Sequence, residues 1–194
     1  MPRFTTLLLI LCCAPALAEP APATLAALAQ CAARSYDDYA AGMAAWEKDW
    51  AHSVAQARPE LGEAAQLRAD AQTLALKRDG LRIRYLAGQQ PGALDLEETV
   101  AALRLFDWAP ASEQALRHGQ PDYAGLADQT EQAQRQAETQ PRRDELEAYF
   151  EESFTGGSGA AVARQLNQIL EQGNAALDAC RREHPLPQQA PPAG

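Results

Sequence analysis

The sequence predicts an all-α fold: an alanine-rich helical bundle in which a long N-terminal helix lies beside the C-terminal helix and one disulfide joins them. Three observations carry this expectation. Of the 194 residues, 42 are alanine and only six are valine or isoleucine; alanine is the best helix former, whereas strands draw on β-branched and aromatic residues. Large apolar side chains recur at intervals of three and four, the period of a helix face. Only Cys31 and Cys180 remain once an N-terminal leader is set aside.

The leader spans Met1 to Ala18. Arg3 supplies its positive start, Leu7 to Leu11 its apolar centre, and Ala16-Leu17-Ala18 a small-x-small cleavage site before Glu19, the pattern of a secretory signal peptide. The apolar run is too short to span a bilayer, and no other segment is long and apolar enough to do so. Cleavage after Ala18 implies an exported, periplasmic chain. It also removes Cys12 and Cys13, so Cys31 and Cys180 are expected to pair in an oxidising compartment. Their loop is long, and the loop-entropy model gives a stabilisation of about 5 kcal/mol as an upper figure.

The first helix is expected from Thr24, as its cap, to about Ala57, ended by Pro59. Leu25, Ala29, Ala32, Tyr36, Tyr39, Met43, Trp46 and Trp50 form its seam. A second helix starts at Pro59 with the stripe Leu67, Ala71, Leu74, Leu81 and Tyr85. Leu81 to Leu86 alternates with period two, but a lone strand has no partner in this chain, so the segment is read as helix. Gly88 to Gly92 forms a turn and a possible hinge.

Asp95 and Glu98 resemble a capping box that opens a helix with Leu96, Val100, Leu103 and Phe106 on one face. Pro110 then starts a short helix that stops at Gly119. From Pro121, Tyr123, Leu126, Thr130, Ala133 and Ala137 are helically spaced among many glutamines, which suggests a solvated or frayed surface helix. Arg142 to Phe154 carries Leu146, Tyr149, Phe150 and Phe154 inward. Gly156 to Ala160 is a joint with Ser158 as a cap; a nucleophile elbow or phosphate loop would need a preceding strand. The last helix, from about Ala160 to Arg182, shows a stripe of Val162, Leu166, Ile169, Leu170, Gly173, Leu177 and Cys180. Residues 19–184 thus read as a single helical domain, and residues 185–194 as a disordered proline-rich tail.

Composition bounds function as well. A formal charge of −9, or −10 once Arg3 leaves with the leader, excludes a basic nucleic-acid binder by default. After the leader, Leu, Ile, Val and Phe make 27 of 176 residues, about 15%, under the roughly 20% below which charged chains disorder. Three Trp and five Tyr offset that shortage.

The densest cluster of large side chains is Tyr36, Tyr39, Trp46 and Trp50. At helical spacing it reads first as core. These four are also the candidate partner-binding residues, should their alanine-rich neighbours leave a groove open. Glu145, Glu147, Glu151 and Glu152 follow Arg142-Arg143 and read as salt bridges on a solvated helix face, not as a catalytic pair. His52, His118 and His184 are scattered outside recognised ligand frames, and adjacent Glu183 and His184 are assigned to different faces. No C-x-x-C-H occurs, so covalent haem is not expected, and no metal or cofactor is assigned. The resulting expectation is an exported, non-enzymatic helical protein that binds a cationic protein partner in the cell envelope, of inhibitor, immunity or adaptor type. The alternative is an envelope enzyme or a metal- or haem-carrying bundle, with Met43 as a conceivable axial ligand.

Overall fold

Prolines mark the corners of the fold. Pro59, Pro91, Pro110 and Pro121 each stand in the first turn of a helical segment, where the missing N–H costs nothing because it would have no intrahelical acceptor. The computed structural model describes residues 23–106, 108–155 and 159–186. The leader with its cleavage site, the Ser158 cap and all but the first two residues of the proline-rich tail lie outside those residues.

The described residues form six α-helices: α1 (Ala23–Ala57), α2 (Gly62–Gln89), α3 (Pro110–Gly119), α4 (Pro121–Glu138), α5 (Arg143–Thr155) and α6 (Gly159–Glu183). Short 3-10 helices at Pro59–Leu61, Pro91–Ala93 and Val100–Arg104 connect them. No strand occurs among the described residues, and none of their helices is long and apolar enough to cross a membrane. Leu81 to Leu86 is helical, inside α2.

α1 lies between α2 and α6, antiparallel to both. Asp37 meets Arg84 and Glu47 meets Arg68 on the α2 side; Cys31 meets Cys180 on the α6 side. The two cysteines form the expected disulfide, with Cα atoms 5.7 Å apart, and join the first helix to the last. Small residues make these approaches possible. A Cβ on Gly173 of α6 would lie 2.7 Å from Val100 Cγ1 and 3.3 Å from Tyr39 Cβ, and one on Gly80 of α2 would lie 3.0 Å from an Asp37 carboxylate oxygen.

The apolar interior divides into three clusters. The largest joins Leu28, Tyr36, Ile83, Leu86, Val100, Leu103 and Leu177 around the disulfide end. A second joins Trp46, Trp50, Val54, Leu61 and Leu146 under Phe150 and Phe154 of α5. Met43 and Ile169 touch both. The third, smaller cluster of Leu116, Tyr123 and Ala127 attaches α3 and α4 to the Leu81 and Tyr85 flank of α2. Each large side chain withdrawn from water contributes about 1.5–3 kcal/mol.

Three local expectations are corrected. The α-helix expected to open at Asp95 does not form. Asp95 Oδ1 instead accepts from the Glu97 backbone N–H at 3.3 Å, and only Val100–Arg104 winds, as a 3-10 helix. Tertiary burial overrides the local signal here. Leu94, Leu96, Val100 and Leu103 are all buried, and α6 satisfies the irregular backbone: Asn174 Oδ1 accepts from the Val100 N–H at 2.8 Å, and Arg181 donates to the Leu96 carbonyl at 2.8 Å and to that of Glu98.

The face of α2 that meets α1 is not the expected leucine stripe but Ala65, Ala69, Leu76, Gly80, Ile83 and Ala87. Of the expected stripe, Ala71 is buried, while Leu67, Leu74, Leu81 and Tyr85 are half-buried on a flank. α4 is likewise no loose surface helix, for Tyr123, Ala127 and Thr130 are each at most 1% exposed.

The Gly173 contact yields a test. Gly173→Ala is expected to destabilise the fold by about 1–3 kcal/mol through overpacking, despite alanine's better helix propensity; urea unfolding measures it, and an unchanged midpoint contradicts the close packing. The disulfide yields a second. Free-thiol labelling of the unreduced protein should leave Cys31 and Cys180 unmodified, and reaction at both contradicts the pairing.

Candidate functional site

Tyr36, Tyr39, Trp46 and Trp50 are 0%, 6%, 3% and 4% exposed. α5 closes the lower half of this stripe. The Phe150 ring meets Trp50 edge-on at 5.0 Å and Trp46 at 6.3 Å, while Phe154 lies 6.4 Å from Trp46. The core reading of the stripe therefore describes its packing, and no open aromatic face remains on α1. Tyr36 is fully enclosed and its hydroxyl finds no hydrogen-bond partner among the described residues. Burial, reinforced by Asp79, drives that phenol's pKa well above the usual tyrosine value.

Open space does border the stripe. A cavity of about 270 Å³ lies between α1, α2, α5 and α6, bordered by Tyr39, Met43, Trp46, Glu47, Arg68 and Arg104 among others. Glu47 is the interior carboxylate of this site, 5% exposed. Arg68 Nη1 donates to Glu47 Oε2 at 3.2 Å, and its guanidinium covers Phe150 at 4.1 Å and Trp50 at 4.8 Å. Burial raises the Glu47 pKa against the pull of Arg68. Burial also lowers the Arg68 pKa against the pull of Glu47. Desolvation thus outweighs attraction on both sides, the usual balance for an interior ion pair. The flat guanidinium offsets part of that cost by stacking on two rings.

A second polar centre is built on α3. Glu113 Oε2 accepts from Arg82 at 2.9 Å, from the Trp108 indole at 2.5 Å and from the Tyr123 hydroxyl at 2.5 Å, while Oε1 accepts from Arg117 at 2.7 Å. Burial alone would raise this carboxyl. The four hydrogen bonds outweigh it and hold the pKa near 2. Tyr123 is pushed up to about 12 by burial and by the bond it donates to Glu113. A carboxylate that stays ionised in this way is unsuited to general-acid work at ordinary pH; its effect is to fasten α3 and α4 to α2.

The remaining candidates fall into place singly. Glu145 and Glu147 pair with Arg142 at 2.9 Å and Arg143 at 2.8 Å along exposed α5. Met43 borders the cavity, whose lining includes no histidine. His52 sits beside Gln56, and His118 Nδ1 lies 2.7 Å from the Gln114 carbonyl.

His184 differs. Its ring nitrogen, a Glu183 carboxylate oxygen and Cys31 Sγ all lie within 4.8 Å of one another, beside the bonded Cys180. Placing Glu183 and His184 on different faces overlooked that Cys180 and His184 stand four apart, one helical turn. The His184 N–H bonds the Cys180 carbonyl at 2.9 Å, so that turn is completed.

No family model, curated protein or solved structure matches the chain.

The Glu113 knot predicts a pH dependence. An unfolded glutamate titrates near 4.5 and the folded Glu113 near 2, so the unfolded chain holds the proton more tightly across that interval. The contribution is therefore fully present above about pH 4.5 and is lost as pH falls towards 2. Glu113→Gln should be less stable than the parent by about 1–2 kcal/mol at pH 7, allowing for solvent screening, with the gap closing towards pH 2. Urea midpoints across that range measure it, and a gap independent of pH contradicts the assignment.

Proposed function

We propose that this chain is an exported, non-enzymatic binding protein of the cell envelope whose acidic surface docks a cationic protein partner. The supporting observation is how the positive charge is used. Arg58, Arg68, Arg78, Arg82, Arg84, Arg117, Arg135, Arg142, Arg143 and Arg181 are each paired with a carboxylate of the same chain. With a formal charge of −9, the surplus is carboxylate, and Asp38, Asp49, Glu63, Glu138 and Glu171 are exposed outside those ion pairs. A negative field of this kind attracts and orients positive partners and speeds their encounter.

The strongly perturbed carboxyl, Glu113, is engaged in holding helices together, which favours binding over acid–base chemistry. The leader pattern and the Cys31–Cys180 bond support an oxidising, exported setting. The alternative, an envelope enzyme or a metal- or haem-carrying bundle, draws on the cavity beside Glu47 and Arg68.

The test begins with the mature N-terminus, expected at Glu19. Immobilised mature protein should then retain one stoichiometric basic protein from an envelope extract at low ionic strength and release it at about 0.3 M salt, where charge attraction is screened. No retained partner at low salt overturns the electrostatic reading. Visible absorbance or a stoichiometric metal in the disulfide-bonded protein would favour the alternative.

A further inference from the structure

The end of the bundle that carries the disulfide holds more metal-ligating chemistry than a structural bond requires. Cys31 Sγ, a Glu183 carboxylate oxygen and a His184 ring nitrogen converge within 4.8 Å of one another; Cys180 Sγ is bonded to Cys31 Sγ and stands outside that mutually close set. Neither the Glu183 carboxylate nor the His184 ring takes part in a hydrogen bond or ion pair among the described residues.

The surroundings hold the two cysteines and the His184 backbone in place. Cys180 is buried in the main core cluster on α6, the His184 N–H closes a turn onto the Cys180 carbonyl, and Leu186 packs back against the same cluster. From α1, the buried Ser35 hydroxyl reaches to 3.5 Å from Cys180 Sγ and to 3.3 Å from the Cys31 carbonyl oxygen. It is positioned to hydrogen-bond a ligating sulfur, as outer partners of metal sites commonly do.

We propose that, once the disulfide is reduced, Cys31, Cys180, Glu183 and His184 form a four-ligand site for a thiophilic divalent cation of the zinc class. Two thiolates, one imidazole and one carboxylate are ligands that zinc accepts in tetrahedral array. At zinc–sulfur distances of about 2.3 Å the two sulfurs would stand about 3.8 Å apart, against 2.00 Å in the disulfide.

The chemistry is thiol–disulfide exchange followed by metallation. A dithiol reductant gives two electrons and two protons to the cystine, whose S–S bond breaks to yield two thiols, and the reductant leaves as its own disulfide. The divalent cation then forms two metal–sulfur bonds while the two thiol protons go to solvent. The same bundle end thus has two mutually exclusive closures, cystine or metal. The inference is independent of partner binding.

Cobalt(II) and zinc titrations of the mature protein test it, in the disulfide form and after reduction by a non-chelating phosphine, with helicity followed by circular dichroism. The reduced protein should bind one cobalt ion with thiolate charge-transfer and tetrahedral ligand-field absorption, displaced by zinc, and should be helical when metallated. The disulfide form should show neither band. His184→Gln should weaken binding to the reduced protein by about 100-fold or more, and Cys180→Ser should abolish the two-thiolate spectrum. Glu183→Gln tests the fourth ligand in the same way. The proposal is overturned if the reduced protein binds no metal, if His184→Gln binds as tightly as the parent, if the disulfide form binds equally well, or if reduction unfolds the chain and zinc fails to restore its helicity.

Discussion

The close approach of α1 to both of its long neighbours is the constraint on which the other contacts depend. α1 presents Ala29, Ala32, Ala33, Ala40 and Ala51 as buried positions, and α2 answers with Ala64, Ala65, Ala69, Gly80 and Ala87. Side chains of this size let helix axes come together, so a modest number of large residues fills the space between them. Tyr36, Trp46 and Trp50 are enclosed because alanine and glycine stand at the intervening positions. The low count of branched aliphatic residues is therefore a consequence of the spacing and not a deficit in the core.

Two kinds of polar interior follow from this arrangement. At Glu47 and Arg68 desolvation outweighs attraction on both partners, and the arginine recovers part of the loss by stacking on Trp50 and Phe150. At Glu113 four donors from Arg82, Trp108, Arg117 and Tyr123 outweigh burial. The first pair borders the cavity beside the Trp46 and Trp50 cluster and ties α1 to α2. The second lies where α3 and α4 offer little apolar bulk, with only Leu116, Tyr123 and Ala127 buried in their cluster. There hydrogen bonds supply much of the cohesion that apolar area supplies elsewhere.

Much of the architecture was legible in residue spacing. The end of α1 at Ala57, the start of α3 at Pro110 and of α4 at Pro121, the inward faces of α5 and α6, and the disulfide follow from prolines, helical periodicity and a count of cysteines; Thr24, read as the cap of α1, lies inside it. What was not legible depends on neighbours remote in sequence. Asp95 to Thr99 carries a helix-start pattern, yet Leu96 joins the core cluster of α1, α2 and α6 and the Leu96 and Glu98 carbonyls are taken up by Arg181. The buried face of α2 is small-residue, so the bulkier Leu67 and Leu74 misplace it. The Gln-rich face of α4 masks Tyr123 and Thr130. The cavity beside Glu47 needs four helices to define it, and the Cys180–His184 spacing gains meaning only when Cys31 arrives from the other end of the chain.

The disulfide also changes what a broken backbone means for this molecule. Cys31 and Cys180 are 149 positions apart, so most of the folded chain, from within α1 to near the end of α6, is a covalent ring. A single cut at the Pro91 to Thr99 connection, or between α3 and α4, opens the ring without releasing a fragment. The nicked protein would keep its mass until a reductant acts, and its two pieces would remain at high effective concentration for reassociation. Loss of the backbone's continuity and loss of the molecule's integrity are thereby separate events, the second under the control of one sulfur–sulfur bond.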